Sequence, residues 1–289
     1  MTAPGQAFEI RRILVALDTS PYSMAALKAA AELAARLRAD LLGLFVEDTA
    51  LLDLADSPYA CEVLCPTALQ APLNRTTMEA KLRALSERAR RALADVAEHA
   101  NVRWSFRVVR GKVTSEIIAA ASEFDLVAMG KIGWSLGPLA RMGSTARGAA
   151  AGAVPALLLT ERALVPHAAL LVRYDGSFPS RLAVLAAAQI ASPSTSRLTV
   201  LLAAQDPRRA AELQREVGTL LEGKNLQVHY RQVDREDGAT LLREVREQRA
   251  DVLVLNSSHL LRDPTTFETL VRETETALLL VAEGTESER

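Results

Sequence analysis

One pattern occurs twice in this chain of 289 residues, and that duplication limits the folds open to it. Leu14-Val-Ala-Leu-Asp18-Thr-Ser20-Pro-Tyr-Ser23 aligns with Leu171-Val-Arg-Tyr-Asp175-Gly-Ser177-Phe-Pro-Ser180. Asp125-Leu-Val-Ala-Met-Gly130 aligns with Asp251-Val-Leu-Val-Leu-Asn256, and Pro155-Ala-Leu-Leu-Leu159 with Thr276-Ala-Leu-Leu-Leu280. The period is far longer than a solenoid repeat, so it marks a duplicated domain. The expected division is 1–162 and 163–289. The joint at 161–167 is too short to hold the halves apart, so they are expected to pack together.

Within the first half, short apolar runs alternate with segments of helical spacing. Strands are expected at 12–17, 40–46, 102–109, 125–129 and 155–160, and helices at 21–38, 76–100, 113–123 and 144–152. In the long helix Met78, Leu82, Leu85, Ala89, Leu93 and Val96 step by three and four, and the other face is charged. Residues 47–75 read as irregular, since Pro58, Pro66 and Pro72 interrupt any helix. Strands alternating with helices imply parallel pairing. The expected fold is α/β, with two tandem open five-stranded parallel sheets and helices on both faces.

The fourth strand runs into Gly130-Lys-Ile-Gly133-Trp-Ser-Leu-Gly-Pro-Leu-Ala-Arg-Met-Gly143-Ser144-Thr145, a G-x2-G-x9-G-S spacing. Glycines after a strand let main-chain N–H groups approach a ligand without a Cβ in the way. A helix start favours an anion, and Ser144 supplies a hydroxyl at the natural N-cap position. Together these suggest a phosphate site at the carboxyl edge of a parallel sheet. The P-loop spacing is absent, as is the dinucleotide fingerprint after the first strand.

This spacing, with the Asp-ended first strand, resembles the universal stress protein family, whose ATP-binding members carry G-x2-G-x9-G-[ST] after their fourth strand. The resemblance runs over nearly the whole chain as two tandem copies. It implies a strand order of 3-2-1-4-5 in each copy, ATP as ligand (with Mg2+ in attendance), and dimerisation through the last strand. The matching edges here are 155–160 and 276–282, so the halves are expected to form an internal pseudo-dimer. Whole chains could associate further as a homodimer. That strand order places a topological switch between strands 1 and 4, where ligands of open sheets bind.

The resemblance sets Asp18 beside the nucleotide; the plain alternative is a turn or helix cap. It sets the backbone of Phe45 or Val46 against adenine, though either side chain is equally good core. Met129 could pack on the base or simply fill a gap. Gly130 and Gly133 would let the backbone curl under the phosphates. Gly143, Ser144 and Thr145 would supply main-chain N–H groups and a hydroxyl. Lys131 and Arg141 would offer charge to phosphates, Arg through a bidentate fork, or else be solvated loop charges.

The second half keeps Asp175 but has Asn256 and His259 in place of the two glycines, so it is expected not to bind ATP. Cys61 and Cys65, a C-x3-C pair that would share a face on a helical turn, have no further Cys or clustered His to complete a metal site. No catalytic metal or nucleophile is expected. A net charge of -1 gives no general attraction to nucleic acid or anionic membrane. No apolar run is long enough to span a bilayer, and residues 1–7 lack the pattern of a secretion signal, so a cytoplasmic protein is expected. Three roles follow: a nucleotide-dependent regulator acting on an unidentified protein partner, a slow ATPase, or a scaffold that binds no nucleotide. Phosphoryl transfer would need a metal and a positioned nucleophile, and the motif region offers no clear base or second acidic ligand.

Overall fold

The computed structural model describes residues 9–57, 60–64, 69–131, 144–151, 154–164, 167–191, 196–234, 237–257 and 264–282. The first half gives β1 (Arg12–Ala16), α1 (Pro21–Leu37), β2 (Asp40–Asp48), α2 (Thr49–Ala55), β3 (Cys61–Leu64) and β4 (Leu69–Pro72). It continues with α3 (Arg75–His99), β5 (Trp104–Gly111), α4 (Val113–Ala121), β6 (Leu126–Gly130), α5 (Ser144–Ala151) and β7 (Ala156–Thr160). The second half gives β8 (Leu170–Tyr174), α6 (Phe178–Ile190), β9 (Arg197–Ala203), α7 (Pro207–Leu220) and β10 (Gln227–Val233). After these come α8 (Gly238–Gln248), β11 (Val252–Asn256), α9 (Pro264–Glu273) and β12 (Ala277–Val281).

Local chemistry accounts for the boundaries. Ser20 caps α1 by accepting from the Ser23 amide at 3.1 Å, and Pro21 follows in the first turn, where its missing N–H is not needed. Asn74 caps α3 through the Thr77 amide at 2.8 Å. The central strands β6, β7 and β12 are buried on both faces and read as nearly continuous apolar runs, as strands under two helix layers must. The outer strands β5 and β10 instead alternate half-buried and exposed residues and carry Arg107, Arg110 and Arg231.

The main sheet has ten strands in the order β10-β9-β8-β11-β12-β7-β6-β1-β2-β5. On each side of its centre the strands follow the expected 3-2-1-4-5 order. The expectation of two separate five-stranded sheets is corrected: β7 and β12 pair antiparallel, Leu159 against Leu278 through Ala156 against Val281, and make one sheet. The physical reason lies in their sequences. Ala-Leu-Leu-Leu runs with no charge, Pro or bulge leave an edge that only another strand can satisfy.

Two apolar layers flank the sheet and both cross this seam. One unites Val15, Leu27, Leu93 and Leu158 with Val172, Val200, Leu213 and Leu279, beneath α1, α3, α6 and α7. The other unites Leu14, Ile117, Val127 and Leu157 with Leu241, Leu253, Leu270 and Leu278, beneath α4, α5, α8 and α9. Gly43 lets α3 lie close on β2, because a Cβ there would stand 2.6 Å from Leu93 Cδ2. The segment read as irregular holds a helix, α2, capped by Asp48, and a hairpin pairing Cys61 with Pro72. Cys61 therefore begins a strand rather than a helical turn; it is a free, exposed thiol, and Cys65 lies outside the described residues.

A carboxylate staples each copy at the foot of its first strand. Asp125 Oδ2 accepts from the amides of Arg11 and Arg12 at 2.8 and 2.9 Å. Asp251 Oδ2 accepts from the Ala169 amide at 2.7 Å. Asp125→Ala is expected to lower unfolding stability by about 1–2 kcal/mol, the range for losing hydrogen bonds to a charged acceptor at a partly solvated site. Urea denaturation would show it, with Asp125→Asn keeping part of the loss away.

Candidate functional site

The chain leaves β1 toward β2 on one side and leaves β6 toward β7 on the other, so the crevice between β1 and β6 is the switch point of the first half. The pairing of Val15 with Ala128 sets the register, and continuing it brings Asp18 level with Lys131 at the carboxyl edge. Helices that return between parallel strands run antiparallel to them, so α5 presents its first residues, Ser144 and Thr145, to that edge. Thr145 is half-buried, and Ala146 and Ala149 lock the helix into the layer that holds Met129.

Asp18 builds a tight turn. Its Oδ1 accepts from the Ser20 amide at 2.9 Å, and its own amide donates to Ser23 Oγ at 3.4 Å. Ser23 Oγ then donates to the Ser20 carbonyl at 3.1 Å. Asp175, Ser177 and Ser180 repeat the same bonds, with the Ser177 amide on Asp175 Oδ1 at 2.9 Å. Of the plain alternatives weighed for Asp18 from sequence, the turn is the one present; the cap of α1 is Ser20.

Thr19, which sequence reasoning did not single out, has φ 64°. A β-branched residue in the left-handed region is strained, and such strain collects at functional sites. Its hydroxyl is buried with no hydrogen-bond partner among the described residues. The signal was in the duplication: the aligned residue is Gly176, at φ 86°.

The structure separates the two residues at the end of β2. Phe45 is buried in the layer of Val15 and Leu93, so its side chain is core. Val46 is half-buried on the opposite face with Ala16, the face shared by Met129. Gly130 is half-buried and pairs with Thr160. Gly133, Arg141 and Gly143 lie outside the described residues.

Lys131 corrects the expectation of a charge free for phosphates. Its side chain is 0% exposed; Nζ donates to the Thr274 carbonyl at 2.9 Å and lies 3.8 Å from Glu161 Oε1. Burial pushes its pKa down from 10.5 to about 8, opposed by the charges of Glu161 and Glu275.

The second crevice differs in more than its missing glycines. Arg173 stands where the first half has Ala16; it is 4% exposed and its Nη1 meets Asp175 Oδ2 at 3.0 Å. Burial alone would raise the Asp175 pKa, but hydrogen bonds from Ser177 and Ser180 and the Arg173 guanidinium hold it well below the carboxylate range. Asn256, at the Gly130 position, is buried, and His259 lies outside the described residues.

Among the described residues no group of three or more His, Cys, Asp and Glu is placed to hold a metal ion. No helix among them is long and apolar enough to cross a membrane.

The pattern that defines the universal stress protein family matches residues 9–154. A universal stress protein from Archaeoglobus fulgidus DSM 4304 has a similar structure, with a TM-score of 0.71 at 16% identity over 97% of this chain and 99% of that one. The functionally unknown protein PA1789 from Pseudomonas aeruginosa PAO1 is similar at a TM-score of 0.58 and 16% identity, over 96% of this chain and 94% of that one. A putative universal stress protein from Pseudomonas aeruginosa UCBPP-PA14 gives 0.58 and 16%, over 96% and 95%. No curated protein matches. At these identities the solved structures speak for the fold, as one α/β sheet flanked by helices. The match over half of the sequence, on a fold of that kind, shows that the chain belongs to the universal stress protein family.

Proposed function

We propose that this is a tandem universal stress protein, with units at 1–162 and 163–289, that binds ATP in its first unit and acts as a nucleotide-dependent regulator in a stress response. The observation that carries the reading is the β1–β6 switch point: the Asp18 turn, Gly130 and the start of α5 converge on one carboxyl edge. Phosphates would lie against the α5 start, where Ser144, Thr145 and the main-chain N–H groups of the first turn favour an anion. Val46 and Met129 would offer an apolar wall to the base. Gly143 and Gly133 would supply close main-chain approach, and Arg141 a bidentate charge. An Mg2+ ion would depend mainly on the nucleotide's own phosphate oxygens. The second unit serves as structural partner, because the Arg173 guanidinium already engages Asp175 in the matching crevice.

Isothermal titration of ATP into the wild-type chain and Gly143→Asp tests this. Wild type is expected to bind. The variant is expected to bind at least tenfold more weakly, about 1.4 kcal/mol, because a side chain and a like charge enter the phosphate path. Equal affinity would remove the site, and no binding by either would favour the scaffold. Phosphate release at enzymatic rates would favour the ATPase; binding without it is the expected outcome.

A further inference from the structure

Lys131 follows Gly130 directly, so its backbone forms part of the crevice's edge. Its amide donates to the Thr160 carbonyl at 3.2 Å, which fixes the main chain against the end of β7. Its side chain leaves the crevice altogether and reaches across the seam to Thr274, 143 residues away. The acceptor is rigid. Thr274 Oγ1 donates back to the Leu270 carbonyl at 2.9 Å, closing α9, and Thr276 Oγ1 donates to the Ala250 carbonyl at 2.9 Å at the start of β12. The charged groups that face the ammonium are Glu161, beyond β7, and Glu275, ahead of β12; Glu275 in turn pairs with Arg162. A lysine enclosed in this way cannot reach a phosphate, yet it carries a charge at the point where the glycine segment begins.

We infer that Lys131 is a positioning residue through which the second half of the chain sets the nucleotide affinity of the first: the Thr274 carbonyl and Glu161 hold its ammonium, and the ammonium holds the Gly130–Lys131 backbone at the rim of the β1–β6 crevice. The inference rests on the nucleotide reading above. It gives the second unit a task that needs no ligand of its own. It also makes affinity depend on pH, because a neutral amine keeps the hydrogen bond to Thr274 but loses its attraction to Glu161 and Glu275.

Titrating ATP into the full-length chain at pH 7 and pH 9 tests it, with Lys131→Met and Glu161→Gln beside the wild type and circular dichroism to confirm that each folds. Lys131→Met is expected to bind about tenfold more weakly at pH 7, the scale of one lost charge-assisted hydrogen bond. Wild-type affinity should fall between pH 7 and pH 9, and that of Lys131→Met should fall less. Glu161→Gln separates positioning from direct attraction by sign. If Lys131 positions the backbone, removing Glu161 weakens binding; if its charge acts on phosphate through space, removing a nearby negative charge strengthens it. Equal affinity of wild type and Lys131→Met, or tighter binding by Glu161→Gln, overturns the positioning role and leaves the nucleotide site standing. Absence of binding by the wild type overturns both.

Discussion

Leu158→Asp is expected to destabilise the protein by about 4 kcal/mol or more, because it places a carboxylate where no water and no partner can reach it. Leu158 is fully buried and sits opposite Leu279 in the antiparallel register of β7 and β12. Its side chain belongs to the apolar layer that runs from Val15 through the seam to Val172 and Val281. The loss therefore has two parts: the transfer free energy of a buried leucine, about 2–3 kcal/mol, and the desolvation of an ionised group. Because both layers cross the seam, the damage should spread to both halves. Guanidinium denaturation followed by tryptophan fluorescence and by circular dichroism should show coincident transitions in the wild type and a shared shift to lower denaturant in the variant. Val108→Asp is the control. Val108 is 45% exposed on the outer strand β5, so its replacement should change stability by less than about 1 kcal/mol. Equal effects at the two sites would show that the seam does not bear on folding.

The pattern of elements was legible because short apolar runs with clear punctuation leave few choices. Leu14-Val-Ala-Leu ahead of an Asp, Ser and Pro has little alternative to a strand followed by a capped helix, and β1 and α1 lie within a residue or two of the reading. The 3-2-1-4-5 order came from the family resemblance, not from periodicity. Pairing of β7 with β12 was expected from the family resemblance alone, and their fusion into one sheet is a property of residues 119 to 125 apart in sequence and of the space between two layers. The hairpin at Cys61 and Pro72 was hidden because prolines that stop a helix are tolerated at the rim of a two-stranded ribbon. At the candidate site, the Asp18 turn and the start of α5 were legible from local chemistry. The fate of Lys131 was not. A lysine among glycines reads as a solvated or phosphate-facing charge, and only the tertiary placement of Thr274 and Glu161 turns it inward. Arg173 shows the same limit: its alignment with Ala16 is visible in the sequence, but its ion pair with Asp175 depends on burial that sequence does not display.

Lys131→Met is expected to stabilise the fold at pH 7 by about 1–3 kcal/mol even as it weakens nucleotide binding. In the unfolded chain the ammonium keeps its proton up to 10.5, and in the folded protein only up to about 8. Between those values the unfolded state holds more protons, so the Lys131 contribution to stability rises with pH. Below about 8 both states are protonated and the full penalty of burying the charge applies; a depression of that size corresponds to about 3 kcal/mol. Methionine fills a similar volume without a charge, but it forfeits the bond to Thr274 and leaves Glu161 to turn toward water, which offsets part of the gain. Glu161 is 21% exposed, so that adjustment is open to it. The difference in unfolding free energy between variant and wild type should therefore be largest at neutral pH and shrink steadily toward pH 10. Taking the difference also cancels Tyr174, whose pKa burial and Glu216 push up to about 12 and whose own linkage acts at higher pH. A variant less stable than wild type at pH 7 would mean that Glu161 and Thr274 more than offset the desolvation of the ammonium. A gain in stability accompanied by a loss of ATP affinity would identify a buried charge that the fold tolerates at a net cost and the nucleotide site requires.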